Sequence, residues 1–207
     1  MVDSSSEAPA CWSVVGGERA GGGVAAGGPA ARRAPAVGYL AYVAENRAVS
    51  VIDTGTREVM SRIPVGADPV AVQVSPEGRR VYVANERSDT ISVLDATRDE
   101  PIATIHLGGS PRALAVAPDG RSLYVGEQSE EVAVVDTATD RVLRSVHVGG
   151  DLAAMAASPD GRELYLTRSG SRAVEVLSTA TDRIVGEVQI GHLPDAVAFS
   201  PSPLLGS

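Results

Sequence analysis

Along most of the chain, apolar and small residues alternate with polar ones in short runs, and turn-forming residues break the runs about every ten positions. Alternation with period two is the mark of a half-buried strand. One stretch shows the pattern in full. Residues 112–117 (Arg-Ala-Leu-Ala-Val-Ala) alternate, and Pro118, Asp119 and Gly120 then supply a reversal, proline presetting φ and glycine accepting a positive φ. Residues 122–126 (Ser-Leu-Tyr-Val-Gly) form the next apolar run, a polar stretch follows over 127–131, and 132–136 (Val-Ala-Val-Val-Asp) form a third. After a Thr-Ala-Thr-Asp turn, residues 141–148 alternate again. The stretch therefore predicts four short antiparallel strands, and the valine-rich composition of every run predicts almost no helix.

This unit recurs. Tyr42, Tyr82, Tyr124 and Tyr165 lie 40, 42 and 41 residues apart. Three further series advance by 42, 41 and 42: Gly66, Gly108, Gly149 and Gly191; Pro76, Pro118, Pro159 and Pro201; Asp53, Asp95, Asp136 and Ser178. A period near 41 with strand-like contents marks the blade of a β-propeller. The expected fold is all-β, with four-stranded antiparallel blades and about four blades present.

The wording of the unit resembles the YVTN-type β-propeller repeat. Val-Tyr-Val-Ala-Asn at 81–85, Val-Ile-Asp at 51–53, Val-Gly at 148–149, Gly-His-Leu-Pro at 191–194 and Ser-Pro-Asp-Gly at 158–161 carry the likeness, which covers about residues 38 to 201. Two departures are local: Leu152 stands where Pro69, Pro111 and Pro194 stand in the other units, and Ser202-Pro203 replaces the Asp-Gly turn. The resemblance implies about seven blades. It also implies a choice of functions, since some similar propellers open lactones with a metal or a few polar groups at the channel mouth, and others bind a modified haem; a propeller fold by itself fixes no activity.

With strands lettered A to D from the inside of a blade outwards, the chain reads BCD, ABCD, ABCD, ABCD, A, sixteen strands in all. Residues 20–36, where an inner strand of the first unit would fall, are Ala or Gly at 12 of 17 positions and include Pro29 and Pro35. At the other end residues 195–199 (Asp-Ala-Val-Ala-Phe) have the pattern of an inner strand. The expected organisation is a low-complexity tail over 1–36, propeller repeats over 37–201 and a short tail over 202–207. The last strand can complete the first unit within one chain, closing a tight four-bladed ring, or between two chains; the strand count favours a piece of a larger propeller or a homodimer in which the last strand completes the first unit of a partner chain.

Composition removes several function classes. Acidic residues number 26 and basic residues 18, giving a net charge of −8, and residues 1–36 contribute three of each sign. A surface with that excess works against tracking a nucleic acid backbone, so no nucleic acid partner is expected. Every basic residue other than the three histidines is arginine, which excludes a Schiff-base or Walker lysine. Cys11 is the single cysteine and lies outside the repeats. No run reaches the roughly 18 apolar residues of a membrane-spanning helix. Arg32-Arg33 and the apolar residues after them look like a twin-arginine signal, but Tyr42 and Val43 fall in register with the later units and assign that run to a strand.

Candidate chemistry is sparse. Residues 21–26 fit a dinucleotide-binding glycine pattern without the helix it needs, and GxSxG, HExxH and paired-cysteine motifs do not occur. No catalytic residue, metal ligand or cofactor is therefore assigned. His106 and His147 occupy equivalent outer-strand positions and read as exposed rim residues. His192 and Asp195 differ, because they share the loop between strand D and the next strand A, on the face where propellers bind ligands. Asp68, Ser110, Arg112 and Asp151 stand in or beside the matching loops. Asp68, Arg112, Asp151, His192 and Asp195 form the candidate ligand site at the channel mouth, for an unidentified protein or small ligand. The remaining regular features have structural roles: the tyrosines pack between blades, the Asp-Thr turns hydrogen-bond their own backbone, and the Val-Gly glycines permit the crossover between blades. The sequence favours a non-catalytic binding module, with a lactonase-like hydrolase or a metal- or haem-associated propeller as the alternative.

Overall fold

A computed structural model of the chain describes residues 39–200; the tails predicted over 1–36 and 202–207, with the glycine pattern at 21–26, lie outside the described residues. Fifteen strands and one three-residue 3-10 turn, Glu86–Ser88, make up the regular structure. The first sheet has three strands, β1 (Leu40–Glu45), β2 (Ala48–Asp53) and β3 (Glu58–Pro64). Three four-stranded sheets follow: β4 (Pro69–Val74) to β7 (Glu100–His106) through β5 (Arg80–Asn85) and β6 (Thr90–Asp95); β8 (Pro111–Val116) to β11 (Arg141–His147) through β9 (Ser122–Glu127) and β10 (Glu131–Asp136); and β12 (Leu152–Ala157) to β15 (Arg183–Gln189) through β13 (Glu163–Arg168) and β14 (Ala173–Ser178). Each is an antiparallel meander in sequence order. Four propeller blades thus stand side by side, with β4, β8 and β12 innermost and in contact.

The turn chemistry appears where the repeat places it. Gly78, Gly120 and Gly161 adopt φ of 70–71° and donate to the carbonyl three residues back at 2.8 Å, closing the A-to-B turn in a conformation a side chain would strain. In the C-to-D turns Asp53, Asp95 and Asp136 accept backbone N–H bonds two or three residues ahead, at 2.7 Å to Gly55, Thr97 and Thr139. The crossover glycines are less uniform than the sequence suggests, since Gly149 and Gly191 have positive φ and Gly66 and Gly108 do not.

Apolar burial lies between blades. Tyr42 packs against a cluster that includes Val72, Val81, Val83 and Leu94 of the second blade; Tyr82 shares a cluster with Leu114, Leu123 and Val125 of the third, and Tyr124 with Leu152, Leu164 and Leu166 of the fourth. Polar links repeat the connection: Ser61 to Asp99 at 2.9 Å, Arg80 to Asp140 at 2.9 Å, and Arg144 to Asp182 through two bonds of 2.6 and 2.9 Å. Tyr165 breaks the series. Its ring meets Phe199 edge-on at 4.9 Å, so residues 195–199 lie where the next blade would begin. They do not form the predicted sixteenth strand, because an inner strand is hydrogen-bonded by its own strand B and no such strand stands beside it among the described residues. Nor do they join the first sheet, which remains three-stranded.

Candidate functional site

The inner strands carry a bulge at one fixed place. Pairing of β4 with β5 steps from Pro69–Asn85 to Ala71–Ala84, that of β8 with β9 from Pro111–Glu127 to Ala113–Gly126, and that of β12 with β13 from Leu152–Arg168 to Ala154–Thr167. The extra residues are Val70, Arg112 and Ala153. A bulge re-aims the side chain of its extra residue, a device common beside binding sites. By repeat spacing the fourth member of this series is Asp195.

A cavity of about 390 Å³ opens between the inner strands. Ala71, Val72 and Gln73 wall it from β4, Arg112, Ala113 and Leu114 from β8, Ala153, Ala154 and Met155 from β12, and Ala196, Val197 and Ala198 from the segment after β15. One residue of each wall segment occupies the same repeat position, and it is alanine in all four: Ala71, Ala113, Ala154 and Ala196. Small side chains at this position leave room that larger ones would fill. Arg112 is the one charged residue in the wall.

Arg112 is held from the neighbouring blade. Its Nη2 donates to Glu86 Oε1 at 3.0 Å, and the same oxygen accepts from Gln128 Nε2 at 3.1 Å. Its Nε is buried and has no hydrogen-bond partner. Of the five residues expected at the mouth, Arg112 alone lines the cavity, while Asp195 adjoins it beside Ala196. Asp68 sits on the exposed crossover loop at φ 56°, 3.5 Å from Arg87, and Asp151 and His192 are exposed on the corresponding loops. Among the described residues no hydrogen bond or ion pair joins any two of the five. His106 and His147 end the outermost strands β7 and β11 and are exposed.

A second series of polar residues, three positions after each tyrosine, ends strands β1, β5, β9 and β13: Glu45 and Arg168 are half-buried, and Asn85 and Glu127 are buried. Three of them are matched across the blade by strand C and, for Glu45, also by Arg62 on strand D. Ser50 and Arg62 bind Glu45, Thr90 and Ser92 bind Asn85, and Glu175 binds Arg168. In the third blade the residue equivalent to Ser50, Ser92 and Glu175 is Ala133, so Glu127 has no such partner. Glu127 is 2% exposed, accepts from Ser129 Oγ at 3.0 Å and, among the described residues, forms no ion pair. Burial pushes its carboxyl above the usual range, Ser129 offsets part of that, and Glu131 and Asp89 push it further up. The loop backbone closes over this series: a Cβ on Gly66 would lie 2.7 Å from Asn85, and one on Gly109 or Gly150 would lie 2.8 Å from Glu127 or Arg168. The spacing shared with the tyrosines was the available signal for these residues; their burial depends on loops about 19 residues away in sequence. Among the described residues no three His, Cys, Asp or Glu side chains are placed to hold a metal ion.

A family model described as lactonase, 7-bladed beta-propeller, matches residues 40–147, the first blade through the third. The chain belongs to this family. No curated protein matches it in sequence. Among solved structures, Kuenenia stuttgartiensis hydrazine synthase is similar, with 30% identity and a TM-score of 0.66 over 70% of this chain. The chain spans 43% of that protein. The family model describes seven blades, against the four among the described residues. No helix among the described residues is long and apolar enough to cross a membrane.

Proposed function

We propose that this propeller is a non-catalytic binding module that holds a small carboxylate-bearing ligand at the channel mouth. The supporting observation is the cavity wall: small apolar side chains on every inner strand, and one guanidinium, delivered by a bulge, with an unpartnered Nε. A guanidinium fixed in orientation by Glu86 suits a planar carboxylate through charge-assisted bonds. Asp68, Asp151, His192 and Asp195 border the mouth and select among ligands rather than bind the acid group. Calorimetric titration with a panel of small hydroxy acids tests this. Saturable one-to-one binding that weakens about 10- to 100-fold in Arg112→Ala is expected, the loss of charge-assisted hydrogen bonds of about 1.5–3 kcal/mol. Binding unchanged by that substitution, or no binding by any acid of the panel, overturns the reading.

The family match favours a second reading, lactone hydrolysis, in which the same cavity receives the cyclic ester and Arg112 faces the developing charge. Acid release from a lactone above the spontaneous rate distinguishes it.

A further inference from the structure

The geometry points to Gln73 as the residue that selects among acids in this cavity. It takes a hydroxyl carried at the far end of the ligand from the carboxylate, a role that rests on the carboxylate reading of Arg112. Two polar side chains stand in the cavity wall, Arg112 and Gln73, and the other wall residues are apolar. Arg112 occupies the place of Val70 and Ala153 in the neighbouring blades. Gln73 departs from its own series, since Gln73, Ala115, Ala156 and Ala198 advance by 42, 41 and 42 and the other three are alanine. Packing at this position is thus served by a methyl group, and the second blade carries a carboxamide there that is 9% exposed. A buried amide costs free energy wherever its donors and acceptor are poorly matched, which alanine avoids.

The two polar side chains face one seam. Gln73 lies directly opposite Tyr82 in the pairing of β4 with β5, so both occupy the same face of the second blade, and Tyr82 shares its cluster with Leu114 and Val125 of the third. Gln73 therefore faces β8. Arg112, on β8, reaches back toward the second blade, where Glu86 holds its Nη2 at 3.0 Å. By repeat spacing Gln73 is level with Ala115, three positions beyond Arg112, which is about 10 Å along the strand. A six-carbon acid bridges that interval, with its carboxylate at Arg112, its methylenes against Ala71, Ala113 and Leu114, and its terminal hydroxyl at Gln73. A hydroxyl both donates and accepts, as a carboxamide does. Gln73 Nε2 donates to the Val74 carbonyl at 3.4 Å, a long bond that a closer ligand oxygen replaces.

Calorimetric titration of the full chain with hexanoate, 2-hydroxyhexanoate and 6-hydroxyhexanoate tests this. The 6-hydroxy acid is expected to bind about 3- to 10-fold more tightly than hexanoate, the worth of one neutral hydrogen bond, and the 2-hydroxy acid no more tightly than hexanoate. Gln73→Ala, which supplies the residue of the other three units, is expected to erase that preference and leave the affinity for hexanoate unchanged. Arg112→Ala is expected to weaken all three acids. Equal binding of hexanoate and 6-hydroxyhexanoate, a preference that survives Gln73→Ala, or a preference for the 2-hydroxy acid over the 6-hydroxy acid overturns the role of Gln73 and leaves the carboxylate reading in place. Binding of none of the three overturns both.

Discussion

Glu127 shows how much one substitution inside a repeat changes. Its counterparts are neutral, as Asn85 is, or matched by charge, as Glu45 is by Arg62 and Arg168 by Glu175. With Ala133 across the blade, the Glu127 carboxyl is buried beside Ser129 and near two further acids. A group whose pKa is raised on folding stabilises the fold when protonated, and that stability is lost as pH rises from its unfolded value through its folded one. Glu127→Gln removes the charge and keeps the shape. It should raise Tm at neutral pH by about 2–4 °C, equivalent to about 1 kcal/mol in a chain of this size, and the gain should vanish below the usual glutamate range. A melting curve of the two proteins across pH checks this, and a gain that persists at low pH would mean the effect is not the carboxylate's. The turn aspartates run the other way. Thr97 and Thr139 hold the carboxyls of Asp95 and Asp136 below their ordinary values, so their contribution is present at neutral pH and lost as pH falls through the lowered values. Asp95→Ala should lower Tm at neutral pH and leave it unchanged in strong acid, measured in the same scan.

At the level of blades, the tyrosines separate interior from edge. Tyr82 is 1% exposed between two blades, and truncation of a buried aromatic costs about 3–5 kcal/mol. Tyr165 meets Phe199 alone in ring contact, at the end of the arc. Tyr82→Ala should therefore destabilise much more than Tyr165→Ala in urea unfolding of the isolated chain, and equal losses would show that the fourth blade is as well covered as the second. Strands, turns and the packing role of the tyrosines were legible in the sequence because alternation and turn residues act locally and the period repeats them. The inner-strand pattern at 195–199 was legible too. Its failure to form a strand was not, since a strand needs a partner and the pattern of one segment does not say whether a partner is beside it. The same limit hid the clamp on Arg112. Glu86 and Gln128 lie on two different blades, 26 and 16 residues away, and meet only when the blades stack.

For the whole molecule, Arg112 stands on β8, between the inner strands β4 and β12 of the neighbouring blades. Three blades and the terminal segment contribute to the cavity beside it, so binding there depends on stacking across blades rather than on any one sheet. The −8 charge disfavours anionic ligands at long range, which leaves the guanidinium to select an acid by contact. A lactone and its ring-opened acid separate the two uses of such a cavity. The decisive measurement incubates the full chain with an aliphatic hydroxy-acid lactone while titrating released acid, beside calorimetry of the acid on the unmodified chain and Arg112→Ala. Binding of the acid that is lost in Arg112→Ala, with acid release at the spontaneous rate, is the predicted result. Release above that rate, abolished by the same substitution, would contradict a binding module and make the cavity an active site.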